Sequence, residues 1–210
     1  MVPLILDLRG KKVIIFGGGA VGARKARFFY GEAMIKVISR TFSREIEGMD
    51  LERISIDLSL VDDERLRSLV RGASLVVAAT PAREINDRIG RICREQGILF
   101  NNADGEPGDA ILPAVSGGRN YLVAVTTFGR SPAFARYLRM ILDERSHEFD
   151  MMISLQERLR SWLKAQEPDG FRRSQILRAV ISDPDVWNDL REGEGKAMDR
   201  VKERYLDEYV

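Results

Sequence analysis

Residues 13–25 read VIIFGGGAVGARK: an apolar run, three consecutive glycines, then a stretch that favours a helix. That order is the first strand, turn and helix of a dinucleotide-binding unit. Gly17, Gly19 and Gly22 fall on the G-x-G-x-x-G spacing, and each has a physical task. They provide a tight turn after the strand, room for backbone to approach a pyrophosphate, and close packing of helix on strand. A helix starting near Ala20 and Val21 aims its unpaired N–H groups at that pyrophosphate. Glycine-rich turns also occur in loops that bind nothing, so the spacing takes its weight from the strand before it and the helix after it.

Working outward, residues 20–30 form the first helix, with Val21, Ala26 and Phe29 placed to face a sheet and Gly31 to end it. Residues 35–39 are the second strand. At its polar end stand Ser39, Arg40 and Thr41, where most NAD-binding units carry a carboxylate for the ribose. No carboxylate is there. Arg40 can meet a 2′-phosphate, which favours NADP, can line the adenine side while hydroxyls contact the ribose, or can stand in solvent; local chemistry leaves the three open. Residues 53–57 suggest a short third strand, and 62–71 a helix whose first acidic residues suit its positive end. SLVVAAT at 74–80 is the small and β-branched run of a parallel strand buried on both faces. Its carboxyl end falls beside that of the first strand, where ligands collect in open α/β sheets. Thr80-Pro81 reads as an N-cap followed by proline at the first helical position, which makes Thr80 a cap or a cofactor contact. Ile85, Ile89, Ile92 and Cys93 give the next helix an apolar face, and 98–101 is a further short strand.

After Asn102 the composition changes. ADGEPGDAILPAVSGGRN is dense in glycine, proline and acidic residues and reads as an exposed segment leaving the nucleotide-binding domain. Aspartates are common in turns, but Asp104, unlike Glu106 and Asp109, sits just past a strand's carboxyl end on the cofactor side. Residues 121–127 are another strand, and Ser131-Pro132 opens a helix over 132–148. Its Phe134, Tyr137, Leu138, Ile141 and Leu142 form one apolar stripe, suited to a core or to a partner helix. Residues 150–210 are helical in pattern, broken at 167–170 and 182–185. The expected organisation is α/β: a Rossmann-type parallel-sheet domain over 1–113, a central segment over 114–149 and a small helical domain over 150–210.

The 210 residues carry 33 basic against 32 acidic side chains, so no global field draws nucleic acid or an anionic membrane, and any anionic ligand is held by local cations. The apolar run in MVPLILDLRGKK is interrupted by aspartate and followed by basic residues, the wrong order for a signal peptide, and no stretch approaches the roughly 20 apolar residues that span a bilayer. A cytoplasmic location is expected. One cysteine, Cys93, and one histidine, His147, allow neither an intrachain disulfide nor a thiolate or imidazole metal cage, and no metal site is expected.

Three segments, in order, resemble the precorrin-2 dehydrogenase family, which includes the amino-terminal half of bacterial sirohaem synthases and a yeast dehydrogenase/ferrochelatase. They are VIIFGGGAVGARKA at 13–26, FNNADGEPGDAILPA at 100–114 and LVAVTTFGRSPAFARYLR at 122–139. The third is more specific than the glycines. The resemblance implies oxidation of precorrin-2 to sirohydrochlorin with NAD as hydride acceptor, in a homodimer whose middle segments interlock, so that 114–149 becomes a dimerisation segment. In some members ferrous iron is then inserted at the same site. The functional aspartate of the family's Asn-x-x-Asp element falls on Asp104. Gly22 stands where many members have alanine, and Thr126-Thr127 where sirohaem synthases often carry serines. Members commonly lack the ribose carboxylate, which favours NAD over NADP here.

On this reading Asp104 is a general base or orienting acceptor. Arg119, Arg130 and Arg136, with Ser131 between them, are candidates to hold the carboxylates of a tetrapyrrole, although surface arginines are commonly just solvated. A non-catalytic nucleotide sensor with a helical interaction tail needs the glycine turn but not Asp104 or the FGRSPAFAR segment. An NADP-dependent dehydrogenase of a small acid is a third reading, carried by Arg40.

Overall fold

The structure is a computed structural model that describes residues 2–207. It divides into two units, Met1–Leu112 and Pro113–Val210. In the first, β1 (Lys12–Phe16), β2 (Met34–Ser39), β3 (Glu52–Ser55), β4 (Leu75–Ala78) and β5 (Leu99–Asn102) form one parallel sheet in the order β3-β2-β1-β4-β5. The connections carry α1 (Ala20–Phe29), α2 (Arg44–Glu47), α3 (Asp63–Val70) and α4 (Arg83–Glu95).

The apolar runs of β1 and β4 are explained by burial on both faces. Alternation sends Val13, Ile15, Leu75 and Val77 to one face, where they pack with Ala23, Ala26 and Phe29 of α1. Ile14, Phe16, Val76 and Ala78 go to the other, against Leu66 and Val70 of α3 and Ile89, Ile92 and Cys93 of α4. A fully buried isoleucine such as Ile14 or Ile15 contributes about 1.5–3 kcal/mol. Burial, aided by the charge of Asp109, pushes the Cys93 thiol up to about 12, so Cys93 is a core hydrophobe in thiol form.

Four expectations are corrected here. Val21 does not face the sheet: it lies two residues, about 200° of helix, from Ala23, and is exposed. Thr80-Pro81 does not start α4, whose N-cap is Ala82 without a side-chain bond, because the Thr80 hydroxyl is engaged by Asn86. Residues 103–120 are not wholly an exposed crossing segment, since 114–117 pair as a strand. The helix expected over 132–148 is interrupted at Arg145, which leaves helical geometry with ψ 8° while its guanidinium lies over the rings of Phe149 and Trp187. Residues 2–8 carry no helix or strand.

In the second unit β6 (Ala114–Gly117) and β7 (Leu122–Val125) form an antiparallel hairpin. It is followed by α5 (Pro132–Glu144), α6 (Ser146–Gln166), α7 (Gly170–Ser182), α8 (Pro184–Glu192) and α9 (Glu194–Tyr205). Ser131 caps α5 by accepting from the Phe134 N–H, with Pro132 in the first turn, as the sequence implies. Met152, Leu155, Leu159 and Leu163 recur at helical spacing on α6 and pack with Val180, Val186, Leu190, Ala197 and Val201. The break after α7 is built by Asp183: one carboxylate oxygen accepts from the Asp185 N–H, and the other from Arg204 and the Tyr205 hydroxyl. Among the described residues no helix is long and apolar enough to cross a membrane.

Candidate dinucleotide and catalytic site

The strand order reverses between β1 and β4, and the crevice at their carboxyl ends is where an open α/β sheet takes its ligand. The glycine turn closes one side of it. Gly17 holds φ 116° and donates its N–H to the Ile38 carbonyl at 2.9 Å, and a Cβ there would fall on the Ala79 carbonyl. The buried Gly18 accepts from the Ser43 N–H at 2.8 Å and lies against Ser39 and the Thr41 carbonyl. A Cβ on Gly22 would fall on the Gly17 carbonyl, so the start of α1 sits hard against the turn. Gly19 is different: it is exposed, and a Cβ there meets nothing within 4 Å. It is the N-cap of α1, with no side-chain cap among the described residues, no acidic residue in the first turn, and Ala20 and Val21 exposed beside it. Open space at a helix N-terminus without negative charge fits a pyrophosphate.

On the rim past β2, the Arg40 guanidinium is 77% exposed and stands 3.5 Å from the carboxylate of Asp57. The Ser59 hydroxyl and N–H, with Arg40, hold the Asp57 carboxyl below its ordinary range. A carboxylate thus stands beside Arg40, but it comes from beyond β3. Sequence reading missed it because the β2–β3 pairing that brings it there is not encoded near Arg40.

At the end of β4 Thr80 is organised by a residue that sequence reading also missed. Asn86, 0% exposed, accepts through Oδ1 from the Thr80 N–H at 3.1 Å and the Thr80 hydroxyl at 2.7 Å. Its Nδ2 donates to the Thr80 carbonyl at 3.0 Å and the Asp104 carbonyl at 3.2 Å. A polar residue on the sheet-facing side of α4, beside Ile85 and Ile89, was the available signal.

Asp104 lies just past β5. Its N–H donates to Asn102 Oδ1 at 3.3 Å, and the Asn102 amide in turn donates to Asp87 Oδ1 at 3.1 Å and the Glu106 carbonyl at 2.8 Å. Gly105, at φ 128°, lets the loop close on Asp87. The Asp104 carboxylate itself is exposed, and among the described residues no side chain pairs with it. With β4 between β1 and β5, Asp104 shares the carboxyl edge with the glycine turn, two strand spacings or about 10 Å along it. Glu106 instead lies 3.4 Å from Arg94.

The basic candidates lie in the second unit and do not all come together. Arg130, Ser131 and Arg136 share the loop after β7 and the first turns of α5, a loop held by the Thr126 and Thr127 hydroxyls, which accept from the Phe128 and Ser131 N–H groups. Arg119 sits in the β6–β7 turn, at the other end of a four-residue ladder spanning about 13 Å. That turn is fixed by Asp150 of α6, which accepts from the Arg119 N–H at 2.8 Å and the Asn120 N–H at 3.0 Å.

Sheet order, glycine turn and open helix N-terminus define a Rossmann-type nicotinamide-dinucleotide-binding protein, and the family described as "Putative NAD(P)-binding" matches residues 4–114. The chain is 38% identical to the precorrin-2 dehydrogenase of Methanosarcina barkeri over 95% of its own length and 91% of the relative's. It is 27% identical to a putative precorrin-2 dehydrogenase of Methanocaldococcus jannaschii, covering 91% of this chain and 95% of that one. A siroheme synthase of Nitrosococcus oceani is 31% identical over 68% of this chain and 30% of its own. The solved structure of SirC, precorrin-2 dehydrogenase, shares the fold, with a TM-score of 0.72 and 22% identity over 97% of this chain and 100% of that one. The chain belongs to the precorrin-2 dehydrogenase family.

Proposed function

We propose that this protein oxidises precorrin-2 to sirohydrochlorin with NAD, in sirohaem biosynthesis and in the cytoplasm. The observation that carries the reading is a carboxylate, Asp104, unpaired among the described residues and on the same sheet edge as an open glycine turn, in a chain related over 95% of its length to a precorrin-2 dehydrogenase.

Gly19, Ala20 and Val21 receive the pyrophosphate on backbone N–H groups. Gly17, Gly18 and Gly22 keep the turn close enough to β4 for the dinucleotide to cross toward Thr80. Ser39 and Thr41 line the adenosine side, and Arg40, engaged by Asp57, favours a plain ribose, because a 2′-phosphate there meets the Asp57 carboxylate as well. NAD supplies hydride acceptance when bound. Asp104 takes the proton that the tetrapyrrole loses as conjugation is restored, its basic oxygen exposed and its backbone held at both ends. Arg130, Ser131 and Arg136 hold substrate carboxylates on one loop–helix junction, while Arg119 makes a separate contact.

The protein acts as a homodimer through residues 114–149. In its own unit α5 leaves Phe134, Tyr137 and Met140 at 47–57% exposure, the hairpin leaves Leu122 at 55%, and the loop after β7 leaves Phe128 at 62%. An apolar patch of this kind is a contact surface. Light scattering of the purified protein is expected to give the mass of a dimer, and a Phe134→Asp, Tyr137→Asp double variant that of a monomer. A native monomer overturns the assignment.

The function is tested by mixing purified protein, precorrin-2 and NAD and following sirohydrochlorin and reduced nicotinamide together. Both are expected to appear in equal amounts, faster with NAD than with NADP. Tight NAD binding without turnover points instead to the sensor, and NADP preference with indifference to tetrapyrroles to a small-acid dehydrogenase. A parallel arm with sirohydrochlorin and ferrous ion reads out iron insertion.

A further inference from the structure

We infer that Asn86 is the positioning residue for Asp104, setting the general base against the cofactor crevice; this rests on the role proposed for Asp104. A carboxamide in the apolar face of a helix needs every polar atom satisfied, because a buried amide without partners costs roughly 2–7 kcal/mol. In Asn86 the two donors and the two lone pairs all have partners. Three of those bonds go to Thr80, six residues away, and close the end of β4 on the start of α4. The fourth reaches the Asp104 carbonyl, in a different loop.

That fourth bond decides the geometry of the base. The β4–β5 ladder continues to the bond from the Ala103 N–H to the Ala78 carbonyl at 2.9 Å, and Asp104 is the next residue. Its peptide is held from two sides, at the N–H by Asn102 and at the carbonyl by Asn86. Asn86 also holds Thr80, so one buried amide links the cofactor side of the crevice to the base. A carboxylate that reacts in the open has its backbone as its only restraint, and a misplacement of about 1 Å can cost about 10²-fold in rate.

The test is a double-mutant cycle in kcat on the full chain, with Asn86→Ala, Asp104→Ala and the pair, together with Kd for NAD and KM for precorrin-2. At saturating NAD, Asn86→Ala is expected to lower kcat by about 10- to 100-fold with KM for precorrin-2 within about threefold, while Kd for NAD rises with the loss of the three bonds to Thr80. In the Asp104→Ala background the same substitution is expected to change the residual rate by less than about twofold, because there is no base left to place. An equal loss in both backgrounds overturns the positioning role and leaves the function standing. Full activity of Asp104→Ala overturns the role of Asp104 and this inference with it. Asn86→Asp, which keeps the acceptor toward Thr80 and removes the donors toward the Thr80 and Asp104 carbonyls, runs the same cycle should Asn86→Ala not fold. Loss of fold in both variants overturns the inference, since Asn86 is then a residue the fold itself cannot spare.

Discussion

Replacing Asp104 by alanine is expected to lower kcat for precorrin-2 oxidation by about 10²–10⁴-fold, the range of a lost general base, with NAD affinity unchanged within about twofold. The two effects separate because Asp104 and the glycine turn sit at different strand ends, with β4 between them. The fold is expected to be indifferent: the side chain is exposed and unpaired among the described residues, and the two bonds that hold the loop are made by the Asp104 backbone, which alanine retains. Stability is expected to stay within about 0.5 kcal/mol, as at other surface positions. Asp104→Asn sharpens the result, because it preserves shape while removing basicity and is expected to lose activity to a similar extent. Activity of Asp104→Ala within about twofold of the native enzyme removes Asp104 from the mechanism.

The second large effect is expected at Gly17, and its contrast with Gly19 is the informative part. An alanine at Gly17 must adopt φ 116°, a strain of about 1–3 kcal/mol, and place a methyl group on the Ala79 carbonyl, an overpacking of about 1–3 kcal/mol more. Tm is expected to fall by about 5–15 °C. NAD affinity is expected to drop at least about tenfold, because relief of the clash spreads β1 from β4 at the crevice. At Gly19 the backbone is ordinary, φ −80°, and the space around a Cβ is open. Gly19→Ala is expected to cost the fold no more than about 1 kcal/mol, the scale of a changed N-cap, and yet to weaken NAD by a similar factor, since the methyl group occupies the place of the pyrophosphate. Thermal unfolding with and without NAD measures both. Equal loss of stability in the two variants contradicts the assignment of separate tasks to the two glycines.

Much of the first unit was legible because its signals are local. Residues 13–25 contain strand, turn and helix start in one window, and the uniform apolarity of 75–79 reports burial on both faces without knowledge of its neighbours. Gly31 takes φ 81° just past α1, and Asp62 caps α3 by accepting from the Arg65 N–H, as the residue types alone require. Less legible was the segment after Asn102. Ala114, Val115, Ser116 and Gly117 have no strand pattern of their own and pair only because β7 lies beside them. The interruption at Arg145 depends on aromatic rings at Phe149 and Trp187, the latter far along the chain. Thr80 carried the signature of a helix cap, but its hydroxyl was taken by a side chain from the next turn of the chain.

By itself, then, the sequence determined that a dinucleotide has a place to bind, since the glycine spacing between an apolar run and a helix start is contained in one short window. It also singled out Asp104, by its place after an apolar strand. Only the tertiary structure decided what holds these groups: Asp57 beside Arg40 through the pairing of β2 with β3, and Asn86 between Thr80 and Asp104 through the packing of α4 on the sheet. The physical reason is range. Backbone torsions and side-chain periodicity act over a few residues and are written in order, whereas the partner of a buried amide or an ion pair is whatever the packed sheet brings within about 3 Å.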